Sequence, residues 1–180
     1  MLFIRTAEVS DITAIVSIIL VIVGGLFAYY QWRKSLSLKR ASYINDLTEK
    51  IRTDSDIKEI IYNLDYGVLW YNENFHGSGE LEAKIDRTLS YFTYICYLKR
   101  QRIITKKEFK FFEYEIERIL TNNQVQNYFY NLYHFSNKFN IPFLFTYLLE
   151  YGKRNRILPK DFYDKEAYKS NGIFTRYLNF

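Results

Sequence analysis

The pattern of apolar positions sets one uninterrupted stretch apart from the rest of the chain. Residues 12–30 contain no charged side chain. At about 1.5 Å of rise per helical residue, this stretch spans roughly 28 Å, close to the ~30 Å hydrocarbon core of a bilayer. A signal peptide is the main alternative, but it needs a basic start, whereas Glu8 and Asp11 precede this stretch. The pattern therefore predicts a retained transmembrane helix over residues 12–32.

Aromatic and basic residues mark one membrane interface of this predicted helix. They are Tyr29, Tyr30, Trp32, Arg33 and Lys34. Phenol and indole rings favour the headgroup boundary because an apolar ring carries a polar atom that needs water. Lys39 and Arg40 follow, whereas Arg5 is the only basic residue before the helix. The positive-inside tendency then predicts a single-pass protein with residues 1–11 outside the membrane and the C-terminal domain in the cytoplasm.

Small side chains recur along one side of the same helix. They are Thr13, Ser17, Gly24 and Ala28, at helical steps of four, seven and four. Small residues let backbones approach closely, so this stripe predicts contact between copies of the helix. The alternative is that such residues are simply common in membrane helices. One helix cannot enclose a pore, so a conducting function would require a homo-oligomer, for which a tetramer is one candidate, with the two hydroxyl residues lining a narrow pore.

After Trp32 the apolar positions take up helical spacing, and no alternating pattern typical of strands appears. The predicted fold class is all-α, with one N-terminal transmembrane helix followed by a cytoplasmic helical bundle of about six helices over residues 33–152. The first bundle helix, with Ile44, Leu47 and Ile51 inward, continues directly from the membrane helix. The second helix is predicted to follow a cap at Thr53 and to stop at Gly67, and the last three are predicted at 105–121, 125–139 and 142–152. The third is predicted to run from Leu81 to the basic residues 99–102, with these apolar positions inward: Leu81, Ile85, Leu89, Phe92 and Ile95.

Several helix ends have a sequence signal. Thr53 with Asp56, and Thr105 with Glu108, match the capping box that bonds the first free amides of a helix. Pro142 suits the first position of the sixth helix, and a glycine at 152 suits its end. The fifth helix is predicted to point an apolar face inward, formed by Val125, Tyr128, Phe129, Leu132, Phe135 and Phe139.

The C-terminal tail, residues 153–180, contains Pro159, an Asn171-Gly172 turn and several aromatic residues. Short helices are compatible with this composition. Two placements remain open: the tail packs on the bundle, or it reaches a neighbouring subunit.

Composition and charge narrow the partners. The chain carries 25 basic and 20 acidic residues, for a net charge of +5. An excess of positive charge suits an anionic partner, either inner-leaflet lipid or a nucleotide, and no double-stranded DNA is expected. The 18 Tyr and 15 Phe, with abundant Ile, Asn and Lys, match the codons of an AT-rich genome and indicate a bacterium. The predicted location is therefore a bacterial cytoplasmic membrane.

The basic residues are concentrated around the turn between the third and fourth helices and after the sixth. The predicted ligand-binding residues are Lys99, Arg100, Arg102, Lys106, Lys107, Lys110 and Arg154. Phosphates bind such cations, and a base stacked on a Tyr or Phe contributes about 1–3 kcal/mol. The alternatives are a solvated helical corner and a surface that rests on anionic lipid.

Candidate chemistry for catalysis is sparse. His76 lies in a Gly-rich loop and His134 in a predicted helix, with no spacing typical of a metal site or a triad. Glu113 and Glu117 share a helix face, where solvated charge is the usual explanation. Cys96, the single cysteine, is predicted to fill the core. We therefore expect no enzyme, no cofactor and no metal site.

The order of these features resembles a class of small membrane-anchored helical proteins of bacterial defence loci. The resemblance rests on the N-terminal helix ending in Trp32-Arg33-Lys34, on Tyr-Ile-Asn-Asp-Leu at 43–47, on Asp-Ile-Lys-Glu-Ile-Ile-Tyr at 56–62 and on the cap at 105–108. The outline is similar to membrane effectors gated by nucleotide or oligonucleotide signals, including the type III CRISPR membrane effectors and the Hailong channel subunit. The resemblance implies a protein that assembles, binds the signal in its cytoplasmic domain and opens or disrupts the membrane.

Two functions thus follow as hypotheses. The first is an oligomeric membrane effector of antiphage defence that forms a channel or disrupts the membrane when it senses a nucleotide. The second is a membrane-tethered adaptor that recruits a protein partner and never conducts.

Overall fold

The computed structural model describes residues 2–72, 74–77, 79–158 and Phe162, with side chains from Ile12 onward. Six α-helices and no strand occur in these ranges. The helices are α1 Leu2–Thr53, α2 Ser55–Asp65, α3 Glu80–Arg100, α4 Lys106–Thr121, α5 Asn123–Phe139 and α6 Thr146–Arg154. The predicted all-α fold is confirmed: one long apolar N-terminal helix precedes a helical bundle. The chain forms two compact units, which divide between Leu47 and Thr48.

Helix α1 runs for 52 residues without a break, which corresponds to roughly 78 Å. It contains a stretch, starting at Ile12, that is long and apolar enough to cross a membrane, and none of this stretch is buried. Large apolar side chains such as Leu20, Val21 and Leu26 are exposed along it. The apolar stretch and the predicted first bundle helix form one continuous helix, as predicted, because α1 runs unbroken from Leu2 to Thr53.

Helix α3 is the central element of the bundle unit and packs against α2, α4 and α6. A helix that contacts neighbours on several sides needs apolar residues around most of its circumference. Nine residues of α3 are buried: Ile85, Thr88, Leu89, Tyr91, Phe92, Thr93, Ile95, Cys96 and Leu98. The predicted inward positions of this helix are confirmed except for Leu81, which is half-buried.

The capping box at the start of α4 is confirmed. The Thr105 hydroxyl accepts a bond from the Glu108 amide at 3.3 Å, and the Glu108 carboxylate accepts one from the Thr105 amide at 2.6 Å. At the other end of α4, the Asn122 side chain accepts bonds from the amides of Gln124 and Val125, at 2.9 and 3.3 Å. One asparagine therefore separates α4 from α5 and caps the second of these helices.

The cap predicted for α2 is displaced by one residue. Thr53 stays in the last turn of α1, where its hydroxyl donates to the carbonyl of Glu49 at 3.0 Å. Asp54 caps α2 instead and accepts bonds from the amides of Asp56 and Ile57, at 3.0 and 3.2 Å. Asp54 is the single residue between the two helices, and its side chain therefore bonds the free amides at the start of α2.

The predicted bounds of the sixth helix are wrong at both ends. Pro142 follows the left-handed Asn140 that terminates α5, where the amide of Ile141 donates to the carbonyl of Ser136 at 3.0 Å. Proline is common just after such a helix end because it cannot continue the helix. Helix α6 begins only at Thr146. Gly152 lies inside it, where an added Cβ would come within 2.9 Å of Leu158, so the glycine permits close packing.

The buried face of α5 differs from the apolar face predicted for it. Val125, Tyr128 and Phe129 are buried as expected, whereas Phe139 is 53% exposed. The burial continues instead through Tyr130 and three polar residues, which are Asn131, His134 and Ser136. The loop after α2 explains part of this difference, because Tyr71 in that loop accepts a hydrogen bond from the Asn131 amide group at 2.7 Å.

Only the start of the C-terminal tail falls within the described residues. Leu158 is buried, and the ring of Phe162 packs against the rings of Tyr130 and Tyr133, with centroids 5.7 and 6.0 Å away. Pro159 and the Asn171-Gly172 turn lie outside the described residues.

Candidate anion-binding cavity

A cavity of about 680 Å³ opens between the C-terminal end of α3, the start of α4 and α6. Its volume falls within the range of small-molecule sites, about 300–1,000 Å³. The lining residues are Cys96, Lys99, Arg100, Arg102, Ile104, Thr105, Lys106, Tyr147, Glu150, Tyr151, Arg154 and Asn155. Five of them are basic, and among the described residues Glu150 is the one acidic member of the lining. The cavity therefore carries a strong excess of positive charge.

The helix ends and their turns place these cations. Lys99 and Arg100 are in the last turn of α3, where basic residues complement the helix dipole. The chain then turns through Arg102, whose φ of 58° is left-handed, and the amide of Ile103 donates to the carbonyl of Leu98 at 3.0 Å. Glycine usually fills this position because a side chain there costs about 1–2 kcal/mol. The cation at 102 is thus held at a backbone cost.

Helix α6 contributes one face to the cavity. Tyr147, Glu150, Tyr151 and Arg154 follow one another at steps of three, one and three, so they lie on the same side of a helix. The Tyr147 ring packs edge-on against Tyr97 with centroids 5.0 Å apart. This face supplies aromatic surface beside the cations, as a ligand with both a phosphate and a planar base would require.

Lys99 is the most enclosed cation of the cavity. Its Nζ lies 3.7 Å from the ring centroid of Phe109 and 4.5 Å from that of Tyr151. Burial lowers the pKa of Lys99, while the nearby Glu113 opposes this shift. Burial likewise raises the pKa of Tyr151, whose hydroxyl donates to Glu113 at 3.1 Å. Partial desolvation strengthens any interaction between Lys99 and an anion that enters.

Arg100 and Glu150 form an ion pair across the cavity, between the end of α3 and the middle of α6. Both side chains remain substantially exposed, at 41% and 38%. Exposed pairs of this kind contribute only about 0–1 kcal/mol, because water screens the charges. The pair can therefore open at little cost.

The structure brings five of the seven predicted ligand-binding residues together. Lys99, Arg100, Arg102, Lys106 and Arg154 line the cavity. Lys107 and Lys110 are exposed on α4 and are not among the described lining residues. Tyr147, Glu150 and Tyr151 also line the cavity and were not predicted, although their helical spacing with Arg154 was a usable signal. Cys96 also reaches the cavity; burial raises the pKa of its thiol to about 12, so the thiol stays protonated.

The residues predicted for assembly and for the membrane interface all lie on α1. The Ser17 hydroxyl donates to the carbonyl of Thr13 at 2.8 Å, which satisfies it within its own helix. An added Cβ at Gly24 would meet no atom within 4 Å. Near the predicted interface, the Tyr29 and Trp32 rings lie 6.1 Å apart, and the Arg33 guanidinium lies 5.9 Å from the Tyr29 ring. Contact through the stripe of Thr13, Ser17, Gly24 and Ala28 stays a prediction, as do the interface roles of Tyr29, Tyr30, Trp32, Arg33 and Lys34.

His76 belongs to a second group of polar and aromatic residues in the bundle, here called the Tyr128 cluster. Its members are Trp70, Tyr71, Phe75, His76, Glu82, Asp86, Tyr128 and Asn131. The His76 ring bonds to Glu82 at 2.9 Å through Nδ1 and to the Tyr71 hydroxyl at 3.1 Å through Nε2. The Tyr128 hydroxyl donates to Asp86 at 2.5 Å. The His76–Glu82 bond attaches the loop after α2 to α3, and the bond from Asn131 to the Tyr71 hydroxyl attaches it to α5.

Metal-binding groups of three or more His, Cys, Asp or Glu residues are absent from the described part of the chain. Comparisons of the chain with protein-family models, with curated proteins and with solved structures found no match. The function is therefore inferred from the geometry and charge of the cavity and from the apolar helix.

Proposed function

We propose that the protein is an oligomeric membrane effector of bacterial antiphage defence that senses a nucleotide or oligonucleotide in the α3–α4–α6 cavity. On binding, the assembly forms a channel or disrupts the membrane. The observation that carries the proposal is the convergence of five cations on one cavity in a chain that also has a helix able to span a bilayer. The resemblance to membrane effectors of defence loci supplies the biological setting.

The cavity suits a phosphate-bearing ligand better than an uncharged one. Three of its cations are arginines, whose planar guanidinium groups bind phosphate oxygens in pairs. The half-buried Tyr147 offers a ring for a base. An apolar ligand would leave these charges desolvated without partners, which is costly. Because cation–phosphate contacts are screened by ions, binding should weaken steeply as salt is added.

The proposed mechanism is a shift of population between two assemblies. A ligand that binds the open and the closed assembly with unequal affinity favours the one it binds better. Copies would meet through the small-residue stripe of α1, where close helix approach is least hindered. In this proposal the N-terminus lies outside the cytoplasmic membrane and the bundle lies in the cytoplasm. An epitope tag placed before the helix should then be accessible in intact cells, and a tag after residue 180 should not.

The test pairs two double charge reversals in the full-length protein. Arg100→Glu with Arg102→Glu removes two cavity cations, and Lys107→Glu with Lys110→Glu makes the same change in charge outside the cavity. Charge-assisted hydrogen bonds contribute about 1.5–3 kcal/mol each, so the first pair should weaken nucleotide binding by about 100-fold or more. The second pair should leave binding within about threefold, because its charges do not line the cavity and water and salt screen them from it.

The functional measurement is membrane depolarisation in cells that express each variant under phage challenge. The wild type and the Lys107/Lys110 variant should depolarise the membrane, and the Arg100/Arg102 variant should not. Equal loss in both variants, together with weaker attachment to vesicles that contain anionic lipid, would assign the basic residues to lipid contact and reject the proposed site. A wild type that leaves membrane potential and growth unchanged would reject the effector function.

A membrane-tethered adaptor is the second candidate, and one observation favours it. Phe111 and Tyr114 on α4 are 67% and 68% exposed, although both side chains are large and apolar. Exposed aromatic residues are typical anchors of protein–protein contacts. The two functions separate by assembly state: an adaptor should run as a monomer in detergent and retain a protein partner that the Phe111→Ser, Tyr114→Ser variant loses.

A further inference from the structure

Glu150, the acidic residue of the cavity lining, lies on α6 and pairs with Arg100 at the end of α3. We propose that Glu150 is an internal competitor for the ligand: its carboxylate pairs with the Arg100 guanidinium, and an entering phosphate must displace it. This inference rests on the proposed function, because it concerns regulation at the same site.

The charges around the cavity are unbalanced. Five basic residues line the cavity, and Arg100 is the one that an ion pair joins to the carboxylate from the opposite wall. Carboxylate and phosphate oxygens bind the same face of a guanidinium group. One arginine therefore cannot keep its full contact with Glu150 while it binds a phosphate in the same manner.

The exposure of the pair makes the exchange feasible. Both side chains are partly in water, so the released Glu150 carboxylate is hydrated at once and no charge is left buried. A buried pair would behave differently, because separation would strand a desolvated charge. Glu150 thus lowers affinity without blocking the site, and it favours ligands that carry several adjacent negative charges over those that carry one.

A double-mutant cycle in the full-length protein, in detergent at fixed salt, tests this role. The four proteins are the wild type, Glu150→Gln, Arg100→Gln and the double variant, and the probes are tripolyphosphate and ATP in calorimetric titrations. Glu150→Gln should bind both probes about fivefold more tightly, because the phosphate no longer has to break the exposed ion pair between Glu150 and Arg100. With Arg100 replaced by Gln, the same change should gain about twofold or less, because the group competed for is gone.

Glu59→Gln is the matched control. Glu59 forms an exposed ion pair with Lys84 at 2.9 Å, elsewhere in the bundle, so the variant changes net charge and breaks a pair without reaching the cavity. Its affinity should equal that of the wild type. Glu150→Ala provides a second variant whose gain should match that of Glu150→Gln.

Four results would overturn the inference. An unchanged or weaker affinity of Glu150→Gln means that no competition occurs. An equal gain with and without Arg100, or an equal gain in Glu59→Gln, means that Glu150 acts only through the overall field. If the wild type and every variant bind neither probe, the proposed ligand function fails and the competitor role fails with it, whereas binding without the predicted gain rejects the competitor role alone.

Discussion

The bundle holds two groups of polar and aromatic side chains, and they differ in how their charges are paired. In the Tyr128 cluster, His76, Glu82, Asp86 and Tyr128 bond to one another or to the loop that they fix. In the cavity, five cations meet one carboxylate. Groups that satisfy each other inside the fold contribute to its stability and specificity. An excess of one charge around an open volume contributes little to stability and is suited to a ligand of the opposite charge.

The largest effect that separates these regions should come from Trp70→Ala. The Trp70 ring is buried and lies 5.2–5.8 Å from the rings of Tyr71, Phe75 and Tyr128. Removing so large a buried side chain leaves a cavity and should lower the free energy of unfolding by about 3–5 kcal/mol. Thermal unfolding followed by circular dichroism measures this loss. Folded Trp70→Ala protein should bind tripolyphosphate as the wild type does; a parallel loss of binding would mean that the two regions act as one.

Lys99→Met should weaken ligand binding and leave stability nearly unchanged, which is the reverse of the effect of Trp70→Ala. Met fills a similar volume and can pack against Phe109 and Tyr151, while the partly desolvated ammonium group is removed. We expect tripolyphosphate affinity to fall about tenfold, the effect of one lost charge-assisted contact. The unfolding free energy should change by less than about 0.5 kcal/mol, because the lost cation–π contact is offset by relief of desolvation. A large destabilisation would assign Lys99 to the fold and weaken the contrast.

Substitution of Thr105 should change both the stability of the fold and ligand binding in the cavity. Thr105→Ala removes the hydroxyl that accepts from the Glu108 amide, and loss of such a cap typically costs about 1 kcal/mol. The same residue lines the cavity. Thr105→Ser keeps the cap and serves as the control. Unfolding should be easier in the Ala variant alone, and ligand binding should fall in that variant only as far as the start of α4 frays.

The smallest effect should come from Asp86→Asn and should depend on pH. Burial raises the pKa of Asp86 above its usual value, and the bond from Tyr128 opposes the shift. The folded protein then binds more protons than the unfolded one between the two pKa values, so stability falls as pH rises through that window. Above the window, Asn should stabilise by a few tenths of a kcal/mol, since solvent screening reduces the effect. The difference should vanish below the pKa of an unfolded Asp, near pH 4. Unfolding curves of the wild type and of Asp86→Asn at pH 3 and pH 7 test this prediction.

Sequence patterns predicted the helices well where the signal comes from residues that are close together in the chain. The apolar run of α1, the box at Thr105 and the spacing along α3 each depend on near neighbours in sequence. Pro142 was misinterpreted because the same residue suits both the start of one helix and the chain beyond the end of another. The left-handed Asn140 decides between these, and no residue type dictates it alone.

The cavity could be predicted only in part, for a different reason. The cations of α3 and α4 adjoin one turn, so their clustering is visible in sequence. Glu150 and Tyr147 join them through the packing of α6 against α3, which brings together residues about 50 positions apart. The Tyr128 cluster was missed likewise: Trp70, Tyr71 and Phe75 flank or occupy a predicted loop, yet they are buried against α5.

The left-handed backbone at Arg102 has a consequence for how the chain should tolerate variation. Arg156 has the same conformation just after α6, with a φ of 57°, but it is not among the described lining residues. Glycine at either position would relieve the backbone and stabilise the fold. In a mutant library sorted for heat resistance, both arginines should drift to glycine. In a library sorted for response to the signal, Arg156 should drift and Arg102 should persist, so the ratio of the two frequencies would report how strongly selection protects the cavity.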